Sequence, residues 1–504
     1  MSIFSNVAGR KTRRSKFNLS HERKMSLNMG ELVPILCQEI LPGDKFQVQS
    51  EVLMRLAPMI SPLMHRVNVY THYFFVPNRI VWDQWSDFIT GGPQGDLTPA
   101  MPKLNILESN RADFAKGTLA DYFGLPVTDA DGGAWAKNSA ISALPFRAYT
   151  EIFNEYYRDQ NLSDKIDITD ATEVAKIRQR AWEKDYFTSA LPWAQRGQNS
   201  SVPADPTYKD KAIIMDQFGD PISTSGTTLH ANPQSELSVT NTGDGHGIDN
   251  LESIDVDIND LRKSVRLQEW LERSARGGAR YIEQILSHFG VRSSDSRLQR
   301  PEFLGGGKNP VVISEVLQTG ATGADTSIIS TPQGNMAGHG ISVGRTNGFR
   351  KSFEEHGFVI GIMSVLPKTA YQQGIDRFWK RDDKFDYYWP EFAQLGEQEL
   401  LDEELYFKYT EADPGNGTFG YQSRYAEYKY GKSSVHGDFR DELNFWHMGR
   451  IFDNKPVLNE SFITSDPDPR IFAVTELEED KLYCQVYNSI SALRPMPYFN
   501  NPTL

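Results

Sequence analysis

Gly340-Ile341-Ser342-Val343-Gly344, with His339 just before it, has the spacing of a hydrolase nucleophile elbow, where a serine is held on a strand-to-helix turn for acyl transfer. That chemistry needs a buried strand before the serine and a helix after it. The flanks here, TPQGNMAGH and RTNGF, read as a glycine loop, so the match is expected to be fortuitous. Gly307-Lys308 does not complete a phosphate-binding loop, because Glu302 stands where the first glycine belongs and Asn309 where Ser or Thr belongs. Asp255, Asp257 and Asn259 begin like a calcium loop. Asp260 then occupies the required glycine position and Arg266 the bidentate glutamate position. The ten histidines form no HxH or HxxxH pair and no CxxC exists, which argues against a structural zinc site. The acidic run 397–404 has the residue types of a glycosidase carboxylate pair, but a solvated acidic face explains it more simply.

Charge points instead to binding. Residues 1–24 hold Arg10, Lys11, Arg13, Arg14, Lys16, Arg23 and Lys24 against Glu22 alone. That segment is +6 in a chain of formal charge −13, so the remainder is −19. A basic arm on an acidic body suits a polyanion met on one side only, and these seven cations are the candidate nucleic-acid contacts. Residues 262–300 form a second basic stretch, nine Arg or Lys against Glu269, Glu272, Glu283 and Asp295, and are also read as contacting phosphate. Aromatic residues beside cations, as in Phe378-Trp379-Lys380-Arg381 and 421–430, suit either base stacking or subunit-interface anchoring. Interface anchoring is favoured for most of them.

The elements that position these residues are mainly strands. Segment 45–56 alternates strictly: Phe46, Val48, Val52, Met54 and Leu56 against Lys45, Gln47, Gln49, Glu51 and Arg55. One face goes to a core and the other to water or a polar partner. In 67–76, Val67, Val69, Thr71, Tyr73 and Phe75 share one face, and Asn68, Tyr70, His72, Phe74 and Val76 the other. Neither face is polar throughout, so a strand covered on both sides is expected, ending at Pro77. Trp82, Trp85 and Phe88 follow at the spacing of a helical turn. Segment 358–366, FVIGIMSVL, reads as a central strand, and 421–430, 470–475 and 482–487 as further strands.

Helical periods occupy 142–158, with Ser142 as cap and Pro145 in the first turn, then 172–182, and 260–289 with a break or kink at Gly277-Gly278. Residues 1–24 read as an extended arm, and the glycine-rich passage after 300 as irregular. Strands this scattered, with connections of such different length, favour an antiparallel sandwich or barrel over a parallel α/β sheet. Aromatics make up 12 %, which marks a folding chain. With mean hydropathy −0.49 and a best apolar run of only 358–366, no membrane insertion is expected. No secretory signal is visible at the start. Cys37 and Cys484 cannot make a disulfide framework, which fits folding in a reducing cytoplasm.

Several long, mutually ordered segments resemble the major capsid proteins of the Microviridae, small icosahedral single-stranded DNA phages, and within them the gokushovirus branch. They are LVPILCQEILPGDKF (32–46), YFFVPNRIVWDQW (73–85), LPFRAYTEIFNEYYRDQ (144–160), DYFTSALPWAQRG (185–197), 271–307, YQQGIDRFWKR (371–381), FDYYWPEFAQLGEQ (385–398), YAEYKY (425–430) and RPMP (494–497). The likeness is absent over 198–256 and thin over 1–16 and 95–140.

The resemblance implies a basic arm over 1–30. It implies a single eight-stranded antiparallel jelly-roll domain over 31–504, with a polar surface protrusion at 198–256 and a helix-containing insertion at 257–350. It further implies a non-enzymatic subunit of a T=1 shell of sixty copies around circular single-stranded DNA, assembled in the bacterial cytoplasm and residing in the virion. The implied partners are other copies, the genome, scaffolding and minor DNA-binding or pilot proteins, and a host receptor met by the protrusion. No cofactor is implied; a structural divalent cation is compatible, at no site the sequence locates. Two competing readings are a carbohydrate-active enzyme on a β-sandwich and a soluble single-stranded DNA-binding protein.

Overall fold

Burial follows the alternation of Lys45–Leu56 residue by residue, with every odd position exposed and every even one buried. A computed structural model describes residues 13–94, 96–127, 139–197, 205–208, 223–225, 228–230, 251–255, 258–278, 280–292, 294–317, 336–345, 348–408, 417–474, 476 and 479–499. Arg10 and Lys11, and most of 198–256, lie outside the described residues. The chain divides into two compact units, Met1–Trp193 with Ala279–Leu504, and Ala194–Gly278.

The larger unit is built on two antiparallel sheets. Their strands are β1 (Ser15–Asn18), β2 (His21–Leu27), β3 (Val33–Ile40), β4 (Lys45–Leu56), β5 (Val67–Pro77), β6 (Glu302–Pro310), β7 (Val312–Leu317), β8 (Met336–Arg345), β9 (Phe349–Ser352), β10 (Gly357–Pro367) and β11 (Leu482–Arg494). In the first sheet β4 and β11 pair along nearly their whole length. β1 and β2 share the free edge of β11, β8 and β9 share the free edge of β4, and β7 extends beyond β8. The second sheet runs β6-β5-β10-β3.

Two clusters fill the space between the sheets. Val52, Met54, Leu27 and Val486 of the first meet Val33, Val67, Val69 and Val365 of the second. Phe46, Val48 and Ile490 meet Leu36, Tyr73, Phe75 and Val359. The other face of the second sheet is covered too: Phe74, Val76, Ile360 and Ile362 pack with Leu144, Phe146, Tyr149 and Ile152 of helix α1 (Leu144–Ile152). This is why β5 and β10 are apolar on both faces while β4 alternates. The outer face of the first sheet carries no such cover among the described residues.

Trp82, Trp85 and Phe88 do cluster, with ring centroids 5.1 to 6.2 Å apart. The 142–158 helix is α1 followed by a π turn, Phe153–Tyr157. The 260–289 helix is two, α2 (Ile258–Gly277) and α3 (Tyr281–Phe289), separated at Gly278, whose φ of 92° is open to glycine at little cost.

Other expectations are corrected. The described part of the 1–24 arm is an edge of the first sheet, because β11 offers it a row of unpaired backbone groups. The helix expected over 172–182 stops at Val174. Beyond it Arg178 and Arg180 bond the backbone of Leu32 and Gly30, and this tertiary pairing overrides the helical period. The glycine passage after 300 is strand β6, where a Cβ on Gly306 would stand 2.6 Å from His72 and 2.7 Å from the Thr71 carbonyl. In place of a strand over 470–475, the described residues 470–474 form an isolated bridge, Phe472 to Met59. The 421–430 strand ends at Ser423, and Tyr425 (φ 62°) turns the chain into a helical turn, Ala426–Lys429.

Candidate nucleic-acid and subunit interfaces

The two-residue period of a strand separates the candidate cations by face. On β1, Lys16 pairs with Leu493; on β2, Lys24 pairs with Gln485. Both are exposed on the outer face of the first sheet. Arg23, between Glu22 and Lys24, pairs with the buried Val486 and faces the other way. Its Nη1 donates to the Tyr122 carbonyl at 2.8 Å, and burial pulls its pKa below the ordinary value. Arg13 and Arg14 are exposed just before β1, with Arg14 reaching the Gly43 turn. The structure thus brings Arg13, Arg14, Lys16 and Lys24 to one exposed edge and gives Arg23 a structural tie.

Within the second basic stretch, several cations are already bonded by their own surroundings. Arg280 donates to the carbonyls of Asn154 and Arg158, at 2.7 and 3.1 Å. Arg300 lies 4.3 Å over the Tyr156 ring and 3.5 Å from Asp295. Arg266 is paired with Glu269 at 2.6 Å. Arg280 and Arg300 thus tie their own segments to 154–158, a use that no count of charges in a window reveals, whereas Arg266 makes an exposed pair within its helix.

The aromatic segments form an exposed patch. Trp379 is 73 % and Leu395 63 % exposed, and Phe378, Tyr387, Tyr388, Tyr428 and Tyr430 are each about half exposed. Arg381, one of several cations among these rings, lies over both Tyr387 (5.1 Å) and Tyr428 (4.6 Å) and 3.5 Å from Glu427. Its charge is taken up by its own neighbours, while Lys380, Asp382, Asp383, Lys384 and Asp386 are exposed between the rings. Exposed aromatics among charged side chains are characteristic of protein contact surfaces.

No reactive constellation forms around the motifs. Ser342 lies buried within β8, its Oγ donating to the Pro310 carbonyl at 3.0 Å, and the strand continues through Gly344 with no helix at the serine. Glu404 of the acidic run is buried. It accepts the Tyr186 hydroxyl at 2.8 Å and lies 3.3 Å from Arg377, and burial raises its pKa. Asp402 pairs with Lys455 at 2.9 Å. Each carboxylate is thus satisfied by its own neighbours. Among the described residues no three His, Cys, Asp or Glu side chains come together to hold a metal ion, and no helix is long and apolar enough to cross a membrane.

The described residues of the sandwich thus offer a charged sheet face and a cluster of exposed rings as contact surfaces. A family model described as Capsid protein (F protein) matches residues 5–504. The chain belongs to this family of phage capsid proteins. It is 35 % identical to capsid protein VP1 of Chlamydia phage 1 and 35 % identical to capsid protein VP1 of Bdellovibrio phage phiMH2K. Capsid protein VP1 of Spiroplasma virus 4 is 30 % identical; each match covers 99 % of this chain and 97 % of the relative. The Microviridae resemblance is therefore confirmed over the whole length. The protein is a structural major capsid protein of the virion, it associates with copies of itself, and it is not an enzyme.

Proposed function

We propose that this capsid protein closes a T=1 shell of sixty copies around a circular single-stranded DNA, each copy built on an eight-stranded jelly roll. Strand order is the observation that carries the fold. Counting β1 with β2, and β8 with β9, as single interrupted strands and setting β7 aside gives eight positions in chain order. The first sheet then runs 1-8-3-6 and the second 5-4-7-2. That is the connectivity of two nested Greek keys, the pattern of capsid jelly rolls. Closed shells follow when such a unit makes contacts with copies of itself whose rotations close.

In this reading Arg10, Lys11, Arg13, Arg14, Lys16 and Lys24 contribute phosphate contacts at the cationic N-terminal side of an acidic subunit, and Arg23, tied to the Tyr122 carbonyl, does not. Residues 198–256 form the protrusion that meets a host receptor. Scaffolding and minor DNA-binding or pilot proteins complete the particle. Support for the cationic side is the exposure of Arg13, Arg14, Lys16 and Lys24; support for the protrusion is the separate compactness of Ala194–Gly278.

The test is expression of the full chain in bacteria, with and without the phage's scaffolding protein, followed by sedimentation and electron microscopy. Isometric particles of uniform size are expected under co-expression. A monomer under every salt and divalent-cation condition, scaffolding included, refutes the shell. Monomers that bind single-stranded DNA tightly would favour the soluble DNA-binding reading instead.

A further inference from the structure

One face of the first sheet is uncovered among the described residues, and its composition is unlike that of the chain as a whole. Residues paired across strands share a face, so the ladder registers read it off directly. Lys16 pairs with Leu493, which pairs with Lys45; Gln47 pairs with Arg350; Lys24 pairs with Gln485, which pairs with Leu53; Arg55 pairs with Tyr483. Lys16, Lys24, Lys45, Arg55 and Arg350 are all exposed, and none has an acidic partner among the described residues. One further row carries carboxylates: Glu22 pairs with Tyr487, which pairs with Glu51 and then Arg345; Arg345 holds Glu51 at 2.7 Å, and the neutral Gln485 amide donates to Glu22 at 3.1 Å, so the face sets six cations against two carboxylates. The face is therefore strongly cationic, although the chain carries 66 acidic against 53 basic residues.

Between the cations stand Gln47, Gln49 and Ser489, and two tyrosines, Tyr483 and Tyr487, which are 45 % and 38 % exposed. The tyrosines are four residues apart on β11, about 14 Å at the rise of a strand. From Lys45 to Arg55 the face runs about 34 Å. A cavity of about 640 Å³ lies on it, lined by Leu53, Val343, Arg345, Gln485 and Tyr487 and also by Glu22 and Glu51, so phosphate contact falls to the cations on either side of it. Positive charge along a track, with exposed rings between, is the combination that holds unpaired nucleic acid: phosphates on cations, bases on rings.

We propose that this face, not the N-terminal arm alone, is the surface that holds single-stranded DNA, with Lys45, Arg55 and Arg350 as phosphate contacts and Tyr483 and Tyr487 as base-stacking platforms. This rests on the reading of the chain as a shell around single-stranded DNA, and deepens it. Lys16 and Lys24 belong to the same face, so the arm feeds into it. Arg23 points away and is no part of it. The occupant is a polyanion because the face offers uncompensated cations. It is unpaired because stacking rings are of use only to bases that are not already stacked in a duplex.

The experiment uses full-length subunits and a fluorescent oligothymidylate of about twenty nucleotides, with affinity measured over a series of salt concentrations. The triple variant Lys45→Gln, Arg55→Gln, Arg350→Gln is expected to lower the slope of log K against log salt by about 2, at about 0.7 per lost phosphate contact on a single strand. Tyr483→Ala and Tyr487→Ala are each expected to weaken binding at least about fivefold with the slope unchanged. All five side chains are exposed, so these variants fold, and circular dichroism checks that they do. An unchanged slope and affinity in the triple variant overturns the proposal. So does a triple variant that binds DNA normally and fails to assemble, since the face would then be a subunit contact. An arm variant neutralised at Arg10, Lys11, Arg13 and Arg14 separates the two readings. If only that variant loses binding, the face is wrong and the DNA-enclosing reading stands; if neither loses it, the DNA-enclosing reading falls as well.

Discussion

His72 makes the capsid subunit sensitive to acid, and replacing it should remove a defined part of that sensitivity. The imidazole sits on β5 with its Nδ1 2.8 Å from the Tyr157 hydroxyl, and Phe74, Tyr157 and Phe303 surround it at centroid distances of 6.4, 5.9 and 6.0 Å. Burial, and then the Arg180 guanidinium, push its pKa from 6.5 down to about 4. The folded value lies below the unfolded one, so between these pH values the unfolded chain binds a proton that the folded chain does not. The stabilisation is complete above about pH 6.5 and is lost as pH falls toward 4. At about 1.4 kcal/mol per pH unit the gap sets an upper bound of about 3 kcal/mol. His72→Gln keeps an acceptor for the Tyr157 hydroxyl and does not titrate. Urea unfolding of both proteins at intervals from pH 7.5 to 4 should show the parent losing up to that amount more than the variant. Buried Glu31, Glu151 and Glu404, whose pKa values are raised, act in the opposite sense but are common to both proteins and cancel in the difference. Parallel loss of stability in parent and variant would refute the reasoning.

Gly306→Ala should cost about 1–3 kcal/mol by overpacking, since the added carbon meets the His72 ring and the Thr71 backbone at under 3 Å; a thermal melt of the subunit reads it. Neutralising Arg10, Lys11, Arg13, Arg14 and Lys16 together should reduce packaged DNA more than particle yield, as measured by the ratio of absorbance at 260 and 280 nm across a gradient. Packaging unchanged from the parent would remove the electrostatic role of these residues. Deleting 198–256 should leave particle assembly intact and reduce infectivity in a plaque assay; loss of particles would make the insertion a structural clamp.

What could be read beforehand depended on whether a residue's own side chain carries the periodic signal. β4 and β5 were legible because alternating burial in one, and burial on both faces in the other, are written directly in side-chain type. β6 and β8 were not, because Gly305, Gly306, Gly307, Gly338, Gly340 and Gly344 have no side chain to alternate, although close approach of neighbouring strands is what requires several of them. β1 and β2 were hidden because an edge strand buries little and so keeps a polar composition. The cationic candidates were legible as a local cluster only. Lys45, Arg55, Arg350, Tyr483 and Tyr487 come from three distant stretches of chain, and each looks like an ordinary solvent-facing strand residue until the registers of β4, β9 and β11 place them in adjacent rows.

The two exposed surfaces differ in the physics of what they can hold. The surface around Trp379 and Leu395 is rich in exposed rings, and cations among them are already taken up locally: Arg381 by Glu427 and two tyrosines, Lys380 by Glu403. On the uncovered sheet face Lys45, Arg55 and Arg350 have no acidic partner among the described residues, and its exposed apolar side chains are Leu53 and Val343 with Val312 and Val316 of β7 beyond them. Added salt screens phosphate contacts and releases them, whereas apolar contacts persist or tighten in strongly hydrated salts. A subunit that must hold neighbours and cargo at once gains from placing these contacts on different surfaces, because each can then respond to ionic strength without the other. On the proposed reading, shells opened gently at high sulfate should release DNA while contacts between subunits survive. If DNA and subunits instead dissociate together over the same range of salt, one surface is serving both ends and the division drawn here is wrong.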